Sequence, residues 1–216
     1  MRAAIIIAVL AAGVLTAQTT ATIQAQGTAT LSASPDQAQI SVSVITDGPT
    51  AQAAAQANAT VSTAVQNALK ALNPAPMIQT TGYSVYPRYS NQGQTVTGYT
   101  ASNTIQVTSS DLSSTGSLID TASQAGANNV GGLTFSLQNP DPLKQQALTL
   151  AAKQARAHAD AIAAGLGGKT GAVVSAVEGS AYTPVVGGIA AGAATPIQTG
   201  QVSVTANVTI TFQLIQ

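Results

Sequence analysis

The sequence predicts an α+β fold: one or more largely antiparallel sheets with three helices, in the order β-β-α-β-β-α-β-α-β-β. Two observations support this prediction. Alternating apolar and polar residues occur in adjacent segments separated by short turns, as in paired strands. Three other segments repeat apolar residues at intervals of three and four, as amphipathic helices do. Paired strands mixed with helices favour helices on one face of an antiparallel sheet.

The first residues have the pattern of a secretory signal peptide. Arg2 precedes an apolar run over residues 3–15, and small residues follow it. The run is shorter than the about 20 apolar residues that span a bilayer. We therefore expect residues 1–21 to be a signal peptide, cleaved after Ala17 or Ala21, and residues 22–216 to form the mature domain. An uncleaved anchor is the alternative.

The composition excludes several classes of function. The chain has no cysteine, which excludes disulfides, thiolate metal sites and cysteine nucleophiles. Charged residues make up 6% of the sequence and the net charge is +0, against about 25% charged residues in a typical domain. Nucleic acid is not expected as a partner, because there is no positive surface to displace counterions. A neutral surface permits self-association.

The first half of the chain is predicted to form two pairs of strands with one helix between them. Residues 22–33 and 38–44 alternate and are joined by the turn sequence Ser34-Pro35-Asp36, which predicts an antiparallel hairpin. A helix is expected to follow with Thr50 as its N-cap and to end at Asn73-Pro74. Residues 78–89 and 95–108 form the second predicted hairpin, with its turn at residues 90–93.

The second half contains two helices and three strands. Residues 111–126 predict a short helix that starts at Asp111, and residues 133–138 predict a short strand. A long helix should follow, with Asp141 as N-cap and with an end at the glycines near position 167. The residues expected on its packed face are Leu143, Ala147, Leu150, Ala151, Ala155, Ile162 and Leu166. Residues 172–177 and 201–215 predict strands on either side of a Gly/Ala/Pro-rich loop, residues 179–200. The spacing hints at two similar halves without a repeat in the residues.

An ordered set of short motifs resembles the SIMPL domain family (DUF541), exported bacterial proteins of the periplasmic and outer-membrane-associated immunogenic-antigen type. The motifs are Ser34-Pro35-Asp36-Gln37-Ala38, Tyr86-Pro87-Arg88-Tyr89, Gly98-Tyr99-Thr100-Ala101-Ser102-Asn103, Gly126-Ala127-Asn128-Asn129-Val130, Phe135-Ser136-Leu137, Ala163-Ala164-Gly165-Leu166-Gly167 and Gly200-Gln201-Val202-Ser203-Val204. The resemblance covers essentially the whole mature chain. It implies an α+β fold, an envelope location with possible outer-membrane association, large homo-oligomeric assemblies and a link to envelope or oxidative stress tolerance. It implies no catalytic residues.

One departure from the family pattern concerns the long helix. Members of the family commonly have Asp-Ala-basic-x-Lys-Ala there, whereas this chain has Gln154-Ala155-Arg156-Ala157-His158-Ala159. The thinner charge pattern puts in doubt any contact that depends on those charges.

His158 is the single histidine and the first candidate for chemistry. One histidine without cysteine cannot build a metal site of three or four ligands. No Gly-x-Ser-x-Gly motif accompanies it for a serine hydrolase mechanism. Its helical phase places it near Ala147 and Ala151, so we interpret it as a buried or interfacial packing residue.

The tyrosines are the second candidate. Tyr83, Tyr86, Tyr89 and Tyr99, with Arg88, gather on one predicted hairpin in a chain that is 3% aromatic. They could form a platform for a ligand or partner. The alternative is that they fill a core or a subunit contact, as aromatic residues commonly do.

Three hypotheses follow for the function. The leading one is a non-enzymatic, exported, self-assembling envelope protein without catalytic residues, metal or cofactor. The second is a periplasmic binding module that uses Tyr83, Tyr86, Arg88 and Tyr89. The third is an enzyme in which Lys153, His158 or a serine would have to act alone, since the acidic residues are scattered without dyad or calcium-loop spacing.

Overall fold

The computed structural model describes residues 21–90, 93, 95–179 and 199–216. The predicted order of strands and helices is confirmed. The elements are β1 (Thr22–Ala33), β2 (Gln37–Gly48), α1 (Ala51–Lys70), β3 (Met77–Tyr89), β4 (Val96–Ser109), α2 (Thr115–Gln124), β5 (Asn129–Ser136), α3 (Asp141–Gly165), β6 (Lys169–Glu178) and β7 (Val202–Ile215), with a 3-10 turn at Leu112–Ser114 before α2. The signal-peptide prediction and most of the loop predicted at 179–200 lie outside the described residues.

The strands form two antiparallel sheets, so the α+β prediction is confirmed. One sheet has the strand order β1-β7-β6 and the other β3-β4-β2-β5. The predicted hairpin between β1 and β2 is wrong. Ser34-Pro35-Asp36 carries the chain from one sheet to the other, and β1 pairs along all its residues, Thr22 to Ala33, with β7. Turn residues fit either connection, and the pairing over the full length of β1 decides between them.

The two halves of the molecule share one topology. The terminal unit, built from both ends of the described chain, contains β1, α3, β6 and β7. The inserted unit contains β2 through β5 with α1 and α2. In each unit a first strand is followed by a helix and a hairpin, and the last strand of the hairpin lies beside the first strand: β1·β7·β6 and β2·β4·β3. The inserted unit adds β5 on the outer edge of β2.

Two segments connect the units: residues 34–36, between β1 and β2, and residues 137–140, between β5 and α3. Asp36 joins the two segments by hydrogen bonds. Its Oδ1 accepts a hydrogen bond from the backbone N–H of Gln138 at 2.6 Å. Its own N–H donates to the carbonyl of Ser136 at 3.1 Å. The turn motif therefore joins the two crossings of the chain instead of closing a hairpin.

Helix α1 covers the sheet of the inserted unit and begins as predicted, with the Thr50 hydroxyl accepting from the Ala53 N–H at 3.2 Å. Its buried face includes two polar residues that the sequence analysis missed, Asn58 and Ser62. The Asn58 amide donates to the carbonyl oxygens of Val44 at 2.7 Å and Ala101 at 3.1 Å. A buried amide is stable there because its hydrogen bonds replace those lost to water.

Helix α3 packs on β1 and β7 through five alanines spaced four residues apart, all fully buried: Ala147, Ala151, Ala155, Ala159 and Ala163. A repeat of four advances about 40° around the helix at each step. The buried line therefore winds around α3 and leaves Leu150, Ile162 and Leu166 exposed. The predicted packed face is wrong at these three residues, because it assumed a straight stripe.

The close approach of α3 to the sheet is possible because β1 carries a glycine beneath it. A Cβ on Gly27 would overlap the carbonyl oxygen of Ala151 and lie 2.6 Å from the backbone nitrogen of Ala155. Both contacts are with backbone, which cannot move aside as a flexible side chain does. The helix and the strand are therefore in direct backbone contact at Gly27.

Some predicted boundaries are also corrected. Helix α3 begins at Asp141 itself, and Pro140, which makes no side-chain cap, precedes it. Strand β5 spans 129–136 instead of 133–138 because Gly131 and Gly132 lie inside the strand, where a bulge interrupts its pairing with β2. Asp111 accepts from the Ser113 N–H at 3.0 Å, as expected of a helix start. Gly167 has the positive φ of 76° predicted for the end of α3.

We predict that Gly27→Ala strongly destabilises the protein, because the added methyl group must displace the backbone of α3. Overpacking typically costs about 1–3 kcal/mol and more where backbone must shift. Gly82→Ala in β3 is the matched control, since its nearest atom would be 3.9 Å away. Urea unfolding followed by circular dichroism measures both changes. Equal midpoints for the two variants would contradict the close contact.

Candidate functional site

His158 lies on the exposed side of α3 and bonds the edge of the neighbouring sheet. Its Nδ1 is 2.8 Å from the carbonyl oxygen of Gln26 in β1. A carbonyl oxygen only accepts hydrogen bonds, so Nδ1 carries a hydrogen. Nε2 has no hydrogen-bond partner among the described residues. Of the two environments predicted for His158, the buried one is wrong, because the buried line has moved round the helix to Ala159 at this level. The interfacial one stays a prediction.

Gln154, one turn before His158, bonds the same strand. Its Oε1 accepts from the backbone N–H of Thr28 at 2.6 Å. A backbone N–H has one hydrogen, so that of Thr28 points away from β7. Alternate residues of a strand direct their backbone groups to the same side, so the carbonyl of Gln26 also points outward. Gln154 and His158 therefore occupy backbone groups on the free edge of β1.

A shallow groove runs between this edge and α3. Its volume is about 640 Å³, and its lining consists of Gln24, Ala25, Gln26, Thr28, Gln154, His158, Ala161 and Ile162. His158 is the only titratable side chain in that lining. The groove supplies amides, one imidazole and one exposed aliphatic side chain, which suits the binding of a neutral segment.

The tyrosines do not form a single platform. In the β3–β4 ladder Tyr86 lies opposite Thr100 and Arg88 opposite Gly98, which places both side chains on the sheet face away from α1. Tyr83 lies on the other face, the one that α1 covers and to which Ala101 belongs. Strand alternation places Tyr89 on the side of Tyr83. Tyr83, Tyr86 and Tyr89 are each about half exposed, so their interpretation as core residues is wrong. Tyr99 is partly buried.

Tyr86 shares its face with an ion pair. Arg88 Nη1 lies 2.8 Å from Asp47 Oδ2, and the Thr100 hydroxyl donates to Asp47 Oδ1 at 2.6 Å. Both charged side chains are about half exposed. The structure thus brings together Tyr86, Arg88, Asp47 and Thr100, of which Asp47 and Thr100 were not predicted.

A third surface, which the sequence analysis missed, lies along β6. Helix α3 covers β1 and β7 and barely reaches β6, where Val173, Val174 and Val177 are more than half exposed. We call the adjoining depression the β6 trough; it is lined by Leu148, Thr149, Ala152, Ala176, Val177, Glu178, Val208 and Ile210. A largely apolar strand normally indicates burial on both faces, so the residues of β6 alone do not predict this exposure.

In the described part of the chain, no group of three or more His, Cys, Asp or Glu side chains could hold a metal ion. No described helix is long and apolar enough to cross a membrane.

Comparison with known proteins identifies the family. Residues 23–212 match the profile of the SIMPL family, described as a protein of unknown function (DUF541). The chain belongs to the SIMPL family. Two similar proteins are the 26 kDa periplasmic immunogenic proteins of Brucella melitensis biotype 1 and Brucella abortus strain S19, each 30% identical over 159 residues. The alignments cover 68% of this chain and 64% of each relative.

We predict that neutral His158 of this SIMPL protein is in the Nδ1–H tautomer, because the Gln26 carbonyl accepts from Nδ1. Long-range ¹⁵N–¹H correlation spectra at alkaline pH distinguish the two tautomers. A dominant Nε2–H form would show that the bond to β1 is not made in solution. The chain has one histidine, so the assignment needs no further variant.

Proposed function

We propose that the protein is an exported cell-envelope protein that acts by assembling with copies of itself rather than by catalysis. Its SIMPL membership and the periplasmic names of two relatives support the location. The signal-peptide pattern of residues 1–21 supports export. We assign any contribution to envelope or oxidative stress tolerance, which the family resemblance implies, to this assembly.

The observation that carries the proposal is the uncovered apolar surface of β6. Large exposed apolar patches on a folded protein commonly mark interaction sites. The β6 trough is lined by Ala176 and reaches Ile210 in the core of the terminal unit. Val173, which lies opposite Phe212 in the β6–β7 ladder, is exposed on the same α3 side of the sheet, whereas Val177, opposite Thr209, is exposed on the other side. A second copy that covers this surface buries aliphatic side chains with few charges to desolvate.

The charges at the ends of β6 suit a two-fold arrangement. Lys169 begins the strand and Glu178 ends it, with no charged residue between them. If two copies place their β6 strands antiparallel, Lys169 of each lies near Glu178 of the other, with the uncharged part of the strand between them. The present partner of Glu178 is Lys144, at 3.3 Å on the surface, and an exposed pair of this kind is easily exchanged.

We predict that the purified protein has a mass in light scattering of several chains at micromolar concentration. Val173→Lys should shift it towards smaller species, because covering the α3 side of β6, where Val173 lies opposite Phe212, would then require burial of a charge. Met77→Lys in β3 is the control, since the two side chains are similarly exposed, 55% and 65%. A strict monomer in the unmodified protein would overturn the proposal.

A second candidate function is supported by the face around Tyr86. An exposed aromatic ring beside a half-exposed arginine can stack on or hydrogen-bond to a polar envelope component. The protein would then be a binding module, with Tyr86 and Arg88 as contacts.

We predict for this candidate that Tyr86→Ala abolishes co-sedimentation with outer-membrane vesicles. Tyr83→Ala, which removes a comparably exposed ring from the opposite sheet face, should leave it unchanged. If both variants sediment like the unmodified protein, the tyrosine hairpin has no role in envelope attachment.

A further inference from the structure

We propose that the free edge of β1 is a strand-acceptor site, which pairs antiparallel with β1 of a second copy of the chain. This proposal rests on the self-assembly proposed above and identifies a second contact for it. The observations that carry it are the shared topology of the two units, the regularity of β1 and the side chains that occupy its edge.

The inserted unit shows what this topology accepts at the corresponding edge. There β2, the counterpart of β1, pairs with β4 on one side and with β5 on the other, both antiparallel. In the terminal unit β1 pairs with β7, and no described strand lies on its other side. The groove lined by Gln154, His158 and Ile162 runs along that side. The place taken by β5 in one unit is thus open to a strand in the other.

Among the sheet edges that the structure describes, β1 is the regular one. Its register with β7 is unbroken from Thr22 to Ala33, and it carries no charged residue. The pairings of β3, β5 and β6 with their neighbours are each interrupted by shifts of register. Bulges and charges are the usual means by which proteins keep edge strands from pairing with other chains. Strand β1 has neither.

Strand β1 is protected instead by two side chains of α3. Gln154 and His158 bond the outward groups of Thr28 and Gln26. Further outward backbone groups, at Gln24, Thr30 and Ser32, have no hydrogen-bond partner among the described residues. Gln154 and His158 are both exposed, so they can rotate away. A paired strand would then replace two side-chain bonds with a longer ladder of backbone bonds.

The partner strand is inferred to be a second β1. Two copies of an uncharged strand bring no like charges together in any register, and an antiparallel pair is the arrangement that a two-fold axis produces. The resulting sheet would be continuous across the axis, in the order β6-β7-β1-β1-β7-β6. Because β6 lies at the opposite edge of the same sheet, one chain can make both contacts, and the assembly can grow beyond a dimer.

Thr30→Pro tests the edge directly. The N–H of Thr30 points outward like that of Thr28, so proline removes a group offered to the partner and leaves the bonds to β7 intact. Thr30→Val is the matched control, because both changes lose the hydroxyl contact with Thr205 but only proline blocks the edge. We expect Thr30→Pro to shift the assembly to smaller species by light scattering, with an unchanged circular dichroism spectrum, and Thr30→Val to keep the original mass.

Single cysteines locate the contact even if the proline variant does not fold. The chain has no cysteine of its own, so Gln24, Gln26, Thr28, Thr30 and Ser32 can each be changed to Cys in separate variants. In an antiparallel pair each residue faces itself only near the axis. Disulfides need Cα atoms within about 7 Å. Covalent dimers should therefore peak at the position on the axis, or, where the axis passes between two of these positions, in the mixture of the two variants that flank it.

The paired variant Gln154→Ala/His158→Ala tests the protection. We expect the apparent dissociation constant to fall several-fold, because Thr28 and Gln26 are then free to pair. If the unmodified protein assembles but Thr30→Pro keeps the mass of Thr30→Val, or no cysteine variant cross-links alone or mixed with its neighbour, the β1 contact is overturned and self-assembly stands. If the unmodified protein is a monomer, both proposals fail.

Discussion

The backbone contact between α3 and β1 at Gly27 is the constraint on which the terminal unit depends. Because a Cβ on Gly27 would overlap the backbone of Ala151, helix and strand can approach only through glycine on one side and alanines on the other. The alanine line then fixes the rotation of α3. That rotation directs Gln154 and His158 to the edge of β1, and the position of the helix over β1 and β7 leaves β6 uncovered. The candidate surfaces of this unit follow from one packing contact.

Local patterns were sufficient for the element order and for the caps at Thr50 and Asp111, because these depend on residues close in sequence. They failed where the partner is distant. The choice of β7 as partner of β1, and the burial of Asn58 beneath two strands, depend on residues brought together only by the fold. The packed face of α3 was predicted incorrectly because the prediction assumed about 3.6 residues per turn, whereas the buried alanines of the helix follow one another at intervals of four residues.

The candidate site was less predictable than the fold for the same reason. Tyr86 and Arg88 were identified from the sequence, but their association with Asp47 and Thr100 requires the register of β2 and β3 on β4. His158 was identified as the single histidine; it is exposed and not buried, and its interpretation as an interfacial residue stays a prediction. The exposed valines of β6 gave no signal, since an apolar strand has the same pattern whether or not a helix covers it.

A chain with 6% charged residues cannot protect many sheet edges with lysine or glutamate, which are common devices against unwanted pairing. Three edges here carry register shifts, and a shift is a permanent feature of the backbone. The protection of β1 consists of two exposed side chains, and its removal needs only rotations about side-chain bonds. A bulge would protect an edge strand in every state of the protein, because it does not depend on the position of a side chain. The reversible form of protection at β1, beside permanent forms elsewhere, is the feature that distinguishes an edge made for pairing from an edge made to avoid it.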